Sequence, residues 1–120
     1  MSQRRGAYLY GLEAEWLAAV LLRLKGYRIR ARRFTGAGGE IDLVAERFGT
    51  LVFVEVKARH TIDQARATIT PAKCRRIERA ARVYLARLPR LPRIIRLDAI
   101  FMAPGCLPRH ETAIAEIHLD

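Results

Sequence analysis

The spacing of apolar positions along the first part of the chain is helical. From about Gly11 to Lys25 the residues are strong helix formers, with no Pro and no internal Gly. Apolar positions recur there at steps of three and four and should face the core: Leu17, Val20, Leu21 and Leu24. Gly26 follows directly and suits a left-handed cap, so we predict that the helix ends there.

The next segments alternate between apolar and polar residues with the period of strands. We predict strands over 27–34, 40–46 and 51–58, with the segment TGAGG at 35–39 as a flexible loop. A hairpin turn over 47–50, containing Gly49, joins the second strand to the third. The third strand is rich in Val and Phe and is the strongest strand signal in the chain.

The second half of the chain predicts one more helix and further strands. Residues 60–69 are polar and indicate an irregular segment, after which Thr70 and Pro71 form a helix start. That helix should reach about Leu88, with an apolar stripe of Ile77, Ala80, Ala81, Tyr84, Leu85 and Leu88. We predict a strand over 94–102, a turn over 104–109 and an edge strand over 113–119.

The order of elements predicts the architecture. A helix, three strands, a second helix and one or two strands give a mixed sheet flanked by helices, in which the second helix leads to a parallel strand. With 120 residues, of which 51% are hydrophobic, the chain should form a single α/β domain over 1–120. Residues 1–9 are basic and are expected to be flexible.

Neither a membrane segment nor a targeting segment is indicated. The longest apolar run, 16–22, is closed by Arg23 and Lys25, whereas a spanning helix needs roughly 20 residues. Acidic residues just before the run argue against a signal peptide. Cys74 and Cys106 match neither metal-binding nor redox spacing. We therefore expect a cytoplasmic protein without membrane contact.

The charge of the chain favours an anionic partner. Lys and Arg number 22 against 12 Asp and Glu, a formal net charge of +10. Between Lys73 and Arg96 nine residues are basic and only Glu78 is acidic, whereas a solvated helix face normally mixes signs. Because Arg matches phosphate geometry, nucleic acid bound through its backbone is the natural partner. The other interpretation is a charge that serves only solubility. The candidate contacts are Arg59, Lys73, Arg75, Arg76 and Arg79.

Two acidic residues and a lysine on neighbouring strands suggest a metal site. In the third strand Glu55 and Lys57 alternate with Val and share a face, and a hairpin would bring Asp42 close to Glu55. A bulge at Gly49 would shift the register by one residue, so the pairing stays open at this point. Mg²⁺ or Mn²⁺ suits carboxylate oxygens and can activate water against a phosphodiester, with Lys57 stabilising the developing charge. The competing interpretation is a surface salt bridge across the strands.

Two further glutamates lie near this constellation. By alternation, Glu40, Asp42 and Val44 should share one face of their strand and Ile41 and Leu43 the other. Glu40 is either a further ligand or a solvated charge at the strand end, and we favour the second. Glu15 precedes the apolar run of the first helix, where glutamates usually complement the helix dipole.

Several segments together resemble a known bacterial family. The segments GLEAEWLAAVLLRLKGYRIRARR, GGEIDLVAERFGTLVFVEVKAR, TPAKCRRIERAARVYL and RLDAIF resemble the YraN-like proteins, which are similar to Holliday junction resolvases and other PD-(D/E)XK nucleases. The resemblance covers roughly residues 10–103. It implies a restriction endonuclease-like fold with an αβββαβ core, and by analogy with resolvases a homodimer.

The resemblance also implies roles for individual residues. Asp42 matches the metal-binding Asp, and Glu55 and Lys57 match the Glu-x-Lys element with its catalytic lysine. Glu15 matches a helical Glu that joins the metal shell and the catalytic residues in resolvases. Lys73 and Arg76 match basic positions of the second helix that contact phosphate.

Three functions remain in competition. The first is a Mg²⁺- or Mn²⁺-dependent endonuclease acting on DNA, including branched or recombining DNA. The second is a nuclease-like module that binds nucleic acid without cutting it. The third is a structural partner whose Arg-rich surface faces an acidic protein.

Overall fold

Helices and strands alternate along residues 2–119, which are the residues that the computed structural model describes, with side chains described from Glu13 to Leu119. The helices are α1 (Ser2–Leu24), α2 (Ile62–Ala67) and α3 (Pro71–Ala86). The strands are β1 (Arg28–Gly36), β2 (Gly39–Arg47), β3 (Thr50–Ala58), β4 (Ile94–Met102) and β5 (Arg109–Ala115). None of the helices in this part of the chain combines the length and the apolar character needed to cross a membrane.

The strands form one mixed sheet in the order β1-β2-β3-β4-β5. Neighbours are antiparallel except β3 and β4, which run parallel because α2 and α3 carry the chain back between them. The predicted mixed sheet and the predicted order of its elements are confirmed, with α2 as an addition. Strand β4 has the predicted bounds.

Side-chain alternation along β3 divides the core into two layers. Val52, Val54 and Val56 pack with α1 on one face of the sheet, while Leu51 and Phe53 pack with α3 on the other. The predicted α3 stripe is confirmed, because Ile77, Ala80, Ala81 and Leu85 are buried and Tyr84 and Leu88 pack against them. The N-terminus of α3 is as predicted, with the Thr70 hydroxyl accepting from the backbone amide of Lys73.

The core-facing side of α1 differs from the prediction. Among its described side chains Ala14, Ala18, Ala19 and Leu22 are buried and Leu21 of the predicted stripe packs against them, whereas Leu17 is 42% exposed and Leu24 is 80% exposed. Small alanines allow the helix backbone to approach the valine face of β3, so the sheet selects this face over the leucine-rich one. The helix begins at Ser2, well before Gly11. Flexibility of residues 1–9 stays a prediction, because their side chains lie outside the described residues.

Residues 35–39, predicted as a flexible loop, form a tight hairpin. Ala37 and Gly38 have φ angles of 52° and 79°, and Gly36 pairs with Gly39 across the turn. Two consecutive positive φ values are typical of the type I′ turn, whose twist matches that of the flanking strands. The pairing of Gly36 with Gly39 therefore orders this segment, which forms one wall of the cleft described below.

Gly39 lies where this hairpin touches α3. A Cβ atom at residue 39 would lie 2.0 Å from the backbone carbonyl oxygen of Arg76, a distance that only displacement of the helix could relieve. We expect Gly39→Ala to lower the free energy of unfolding by about 2–4 kcal/mol, measured by urea denaturation. The control is Gly38→Ala, where a Cβ meets nothing within 4 Å and only the positive φ opposes it, at a cost of about 1–2 kcal/mol. Equal losses in the two variants would show that contact with α3 is unimportant.

Two predictions in the second half of the chain are wrong. Residues 60–69 were expected to be irregular but contain α2, which Thr61 caps and which buries Ala65 against Phe101 of β4. The last strand is β5 at Arg109–Ala115 instead of 113–119. Its polar start is held by tertiary contacts that no local pattern shows, including an ion pair between Arg66 and Glu111.

Candidate active site

The hairpin between β2 and β3 brings Asp42 next to Glu55. The pairing runs without a shift from Leu43↔Val54 to Arg47↔Thr50, so there is no bulge at the turn, and Asp42 and Glu55 are the next residues beyond the paired segment. At this point the Asp42 carboxylate Oδ2 accepts a hydrogen bond of 2.8 Å from the backbone amide of Val56. Its side chain is thus anchored to the strand that carries Glu55 and Lys57.

The strand β2 is irregular at this point, which corrects the predicted alternation. Ile41 and Val44 both pack on the α3 side of the sheet, while Leu43 packs on the α1 side. On the neighbouring strand β1, Arg33 has a φ angle of 50°. The irregularity explains why Ile41 shares a face with Val44 instead of with Leu43.

A cleft of about 580 Å³ opens on the α3 side of the sheet at this end. Its walls are the hairpin between β1 and β2, the second half of β3 and the first turns of α3. The lining residues from the described part of the chain are Thr35, Gly36, Gly38, Gly39, Glu40, Asp42, Glu55, Lys57, Lys73, Arg76 and Ile77. Asp42, Glu55 and Lys57, the three residues at the centre of the predicted site, therefore share one cavity.

Two lysines converge on the same oxygen of Glu55. The Nζ atom of Lys73, from α3, lies 2.8 Å from Oε2 of Glu55, and the Nζ atom of Lys57 lies 3.6 Å from that oxygen. The Glu55 side chain is only 3% exposed, so these contacts occur largely away from solvent. Charge-assisted contacts are stronger where water is excluded. Lys73, predicted as a phosphate contact, is thus also a direct partner of a site carboxylate.

Burial and close charges shift the pKa values of three groups in the cleft. Burial and the neighbouring Glu55 carboxylate raise the pKa of Asp42 to about 8, against the opposing effect of the Val56 amide and Lys57. Burial and the nearby Lys73 lower the pKa of the Lys57 ammonium. Burial also acts to lower the pKa of Lys73, but contact with Glu55 outweighs it and the pKa is raised. Two buried acids that resist joint ionisation are typical of functional sites.

Glu15 and Glu40 lie at the margin of this arrangement. Glu15 makes an ion pair with Arg33, with 3.0 Å between Oε1 and Nε, and the described lining of the cleft does not include it. Glu15 would have to leave Arg33 to join a metal shell, so its predicted role stays a prediction. Glu40 lines the cleft but is exposed, as expected of a solvated charge.

The predicted phosphate contacts surround the cleft unevenly. Arg76 lines it, and Arg79 donates from Nε to the carbonyl oxygen of Ala37 in the hairpin wall, at 3.3 Å. Arg75 is exposed on the first turns of α3, and Arg59 is exposed just beyond β3. A second basic stretch, with Arg28, Arg30, Arg32 and Arg33, is absent from the described lining of the cleft, and Arg30 instead lines a cavity beside Glu46 and Tyr84.

A second polar cluster, centred on Asp98, was not predicted from the sequence. The Asp98 side chain is fully buried and accepts from Arg96, from the backbone amide of Ala113 and, at 2.8 Å, from His110. Asp98 pairs with Val54 in the parallel ladder, and Val54 faces α1, so the cluster lies on the face away from the cleft. The signal available in the sequence was the Arg96-x-Asp98 pair, two opposite charges on one face of a strand whose other residues are apolar.

The fold and the cleft define an α/β protein with two buried carboxylates and two lysines in a single open cavity. The chain belongs to the family described as "Uncharacterised protein family UPF0102", whose model matches residues 14–102. A UPF0102 protein of Methylorubrum extorquens is 52% identical over 91% of this chain and 86% of its own length. Another, from Methylobacterium nodulans, is 53% identical over 90% and 84%, and one from Paramagnetospirillum magneticum is 50% identical over 91% and 84%.

Proposed function

We propose that this protein is a divalent-metal-dependent endonuclease that cuts DNA, including branched DNA, on a restriction endonuclease-like fold. The observation that carries the proposal is the meeting of Asp42 and Glu55, both almost fully buried, with Lys57 in one cleft. The αβββαβ order within the described chain supports the same fold. Family membership is compatible with this function and leaves it open.

The donor set fits Mg²⁺ or Mn²⁺. Asp42 and Glu55 offer hard carboxylate oxygens at the edge of an open cleft, and Mg²⁺ is commonly held by one or two carboxylates while water and phosphate complete its shell. A bound ion would relieve the repulsion that raises the pKa of Asp42. When bound, such an ion polarises a phosphodiester and lowers the pKa of water.

The residues of the chain supply the remaining parts of the reaction. The Val56 amide holds the Asp42 carboxylate in place, which fixes the donor geometry before substrate arrives. Lys57 lies on the same strand face as Glu55, where its ammonium can stabilise negative charge developing on phosphate. Arg76 and Arg79, with Lys73, provide cationic contacts for the phosphate backbone along α3.

Lys57→Met is expected to lower cleavage at least about 100-fold and to leave Mn²⁺ binding in place, because the lysine acts on phosphate and is not a metal ligand. Linear, single-stranded, flap and four-way-junction DNA would be incubated with Mn²⁺, Mg²⁺ or chelator, and Mn²⁺ affinity would be measured by calorimetry. The control is Lys25→Met, which removes an exposed lysine outside the described lining of the cleft. Cleavage that persists in Lys57→Met would remove this lysine from the mechanism.

A non-cutting nucleic-acid-binding module is the second candidate. The observation that favours it is the cationic series along α3, where Lys73, Arg76 and Arg79 can contact a phosphate backbone without any cleavage step. This candidate predicts salt-sensitive DNA or RNA binding that survives replacement of Asp42, without cleavage of any substrate. By analogy with resolvases, which cut two strands, the endonuclease proposal includes a homodimer.

A further inference from the structure

We propose that Lys73 holds the metal-binding oxygen of Glu55 in the metal-free protein and leaves it for substrate phosphate when a divalent ion binds. Lys73 thereby limits the metal affinity of the site and links metal binding to substrate binding. This inference rests on the proposed function, since it names a residue that regulates the same site.

The contact distances identify Lys73 as the principal cation on Glu55. Its Nζ atom is 2.8 Å from Oε2, a charge-assisted hydrogen bond, whereas the Nζ atom of Lys57 is 3.6 Å from that oxygen. A divalent ion bound to the same carboxylate would repel the Lys73 ammonium, because like charges interact strongly in a partly buried site. Lys73 and the ion therefore compete for Glu55.

The cleft carries as many cationic side chains as acidic ones without a metal. Its described lining has Glu40, Asp42 and Glu55 against Lys57, Lys73 and Arg76. An added divalent ion makes the cluster cationic unless one ammonium withdraws or an anion enters. A phosphate group of the substrate is such an anion, and the proposed movement of Lys73 brings its ammonium to it.

Placement in the fold makes Lys73 the lysine that moves. Lys57 and Glu55 are two residues apart on one face of β3, so their side chains stay adjacent. Lys73 instead reaches Glu55 from the first turn of α3, across the cleft, on a long flexible side chain that is 26% exposed. Arg76 lines the same cleft about one helical turn further along α3. The Lys73 ammonium can turn toward this side of the cleft.

The experiment measures Mn²⁺ affinity of the full chain by calorimetry for wild type, Lys73→Gln and Arg76→Gln. Both variants remove one positive charge from the same cleft. Of these two residues, only Lys73 contacts Glu55. We expect Lys73→Gln to bind Mn²⁺ about tenfold more tightly than Arg76→Gln, within the usual range of coupling between sites. Both variants should weaken the binding of duplex DNA in chelator.

The outcomes separate this inference from the proposed function. If wild type binds Mn²⁺ and Lys73→Gln binds it no more tightly than Arg76→Gln, the competition is disproved and the endonuclease proposal stands. If no variant, including wild type, binds Mn²⁺, both are disproved. Should Lys73→Gln fail to fold, Lys73→Arg replaces it. An arginine keeps the charge and matches a carboxylate with two parallel hydrogen bonds, so firmer occupation of Glu55 and weaker Mn²⁺ binding than wild type are expected, and equal or tighter binding contradicts the inference.

Discussion

Replacing Asp42 with Asn is expected to abolish Mn²⁺ binding and DNA cleavage while making the metal-free protein more stable. Asp42 is 8% exposed and lies beside Glu55, so its ionised form is costly in the absence of a metal. The Oδ1 atom of Asn can still accept from the Val56 amide, so the anchoring hydrogen bond is retained. A gain of about 1–3 kcal/mol at pH 8 follows from the removal of the charge.

The pH dependence of stability provides an independent test of this explanation. The pKa of Asp42 is raised in the folded protein, from 3.8 to about 8. The folded state therefore binds a proton that the unfolded state releases, and stability falls as pH rises from about 4 to about 8. In Asp42→Asn this part of the fall should disappear, so the advantage over wild type should be small at pH 4 and largest near pH 8.

Urea denaturation in chelator at pH 4, 6 and 8, together with calorimetric titration of Mn²⁺, would measure both effects. The control is Asp63→Asn, because the Asp63 side chain is 94% exposed on α2 and its replacement should change stability by less than about 0.5 kcal/mol. If Asp42→Asn keeps its affinity for Mn²⁺, or is less stable than wild type at pH 8, the assignment of Asp42 as a buried metal ligand is contradicted.

Replacing Asp98 with Ala is expected to cost about 3–5 kcal/mol of unfolding free energy, the usual loss when one partner of a buried ion pair is removed. Its carboxylate accepts from Arg96 at 3.0 and 2.8 Å, from His110 and from the backbone amide of Ala113. Arg96 also donates to the Tyr27 hydroxyl at 2.9 Å, so the cluster joins β4 and β5 to the segment between α1 and β1. Without Asp98 these donors lose their shared acceptor.

Acid should weaken the same cluster in wild type. Burial acts to raise the pKa of Asp98, but hydrogen bonds from His110 and Arg96 outweigh it and hold the pKa below its usual value. A depressed pKa contributes stability that is present above the unfolded pKa of about 4 and is lost as pH falls through the folded pKa. Wild type should therefore lose stability more steeply than Asp98→Ala below pH 4.

Measurements on Asp98→Ala also test where the cluster lies. Because it faces α1, the folded variant should bind Mn²⁺ as wild type does. Asp98→Asn, which keeps an acceptor for the Ala113 amide, should lose less stability than Asp98→Ala. Equal stability of Asp98→Ala and wild type would contradict a stabilising role of this cluster.

The local pattern of residues predicted the structure correctly where one segment contains the whole pattern, such as a helix cap or a periodic apolar stripe. The cap at Thr70 with Pro71, the stripe along α3 and the two faces of β3 were predicted from spacing alone and are confirmed. The local pattern gave wrong predictions where contacts between residues distant in the chain determine the structure. The alanine face of α1, the helix α2 and the start of β5 depend on which surfaces the sheet offers.

The sequence by itself determined that carboxylates and a lysine stand on neighbouring strands, because side chains alternate along any strand and a short turn must join two such strands. Only the tertiary structure decided the unshifted register of β2 on β3, the contact of Lys73 with Glu55 and the buried cluster around Asp98. The physical reason is that each depends on residues distant in the chain, whose approach is set by packing of the helices on the sheet and leaves no period or motif in any one segment.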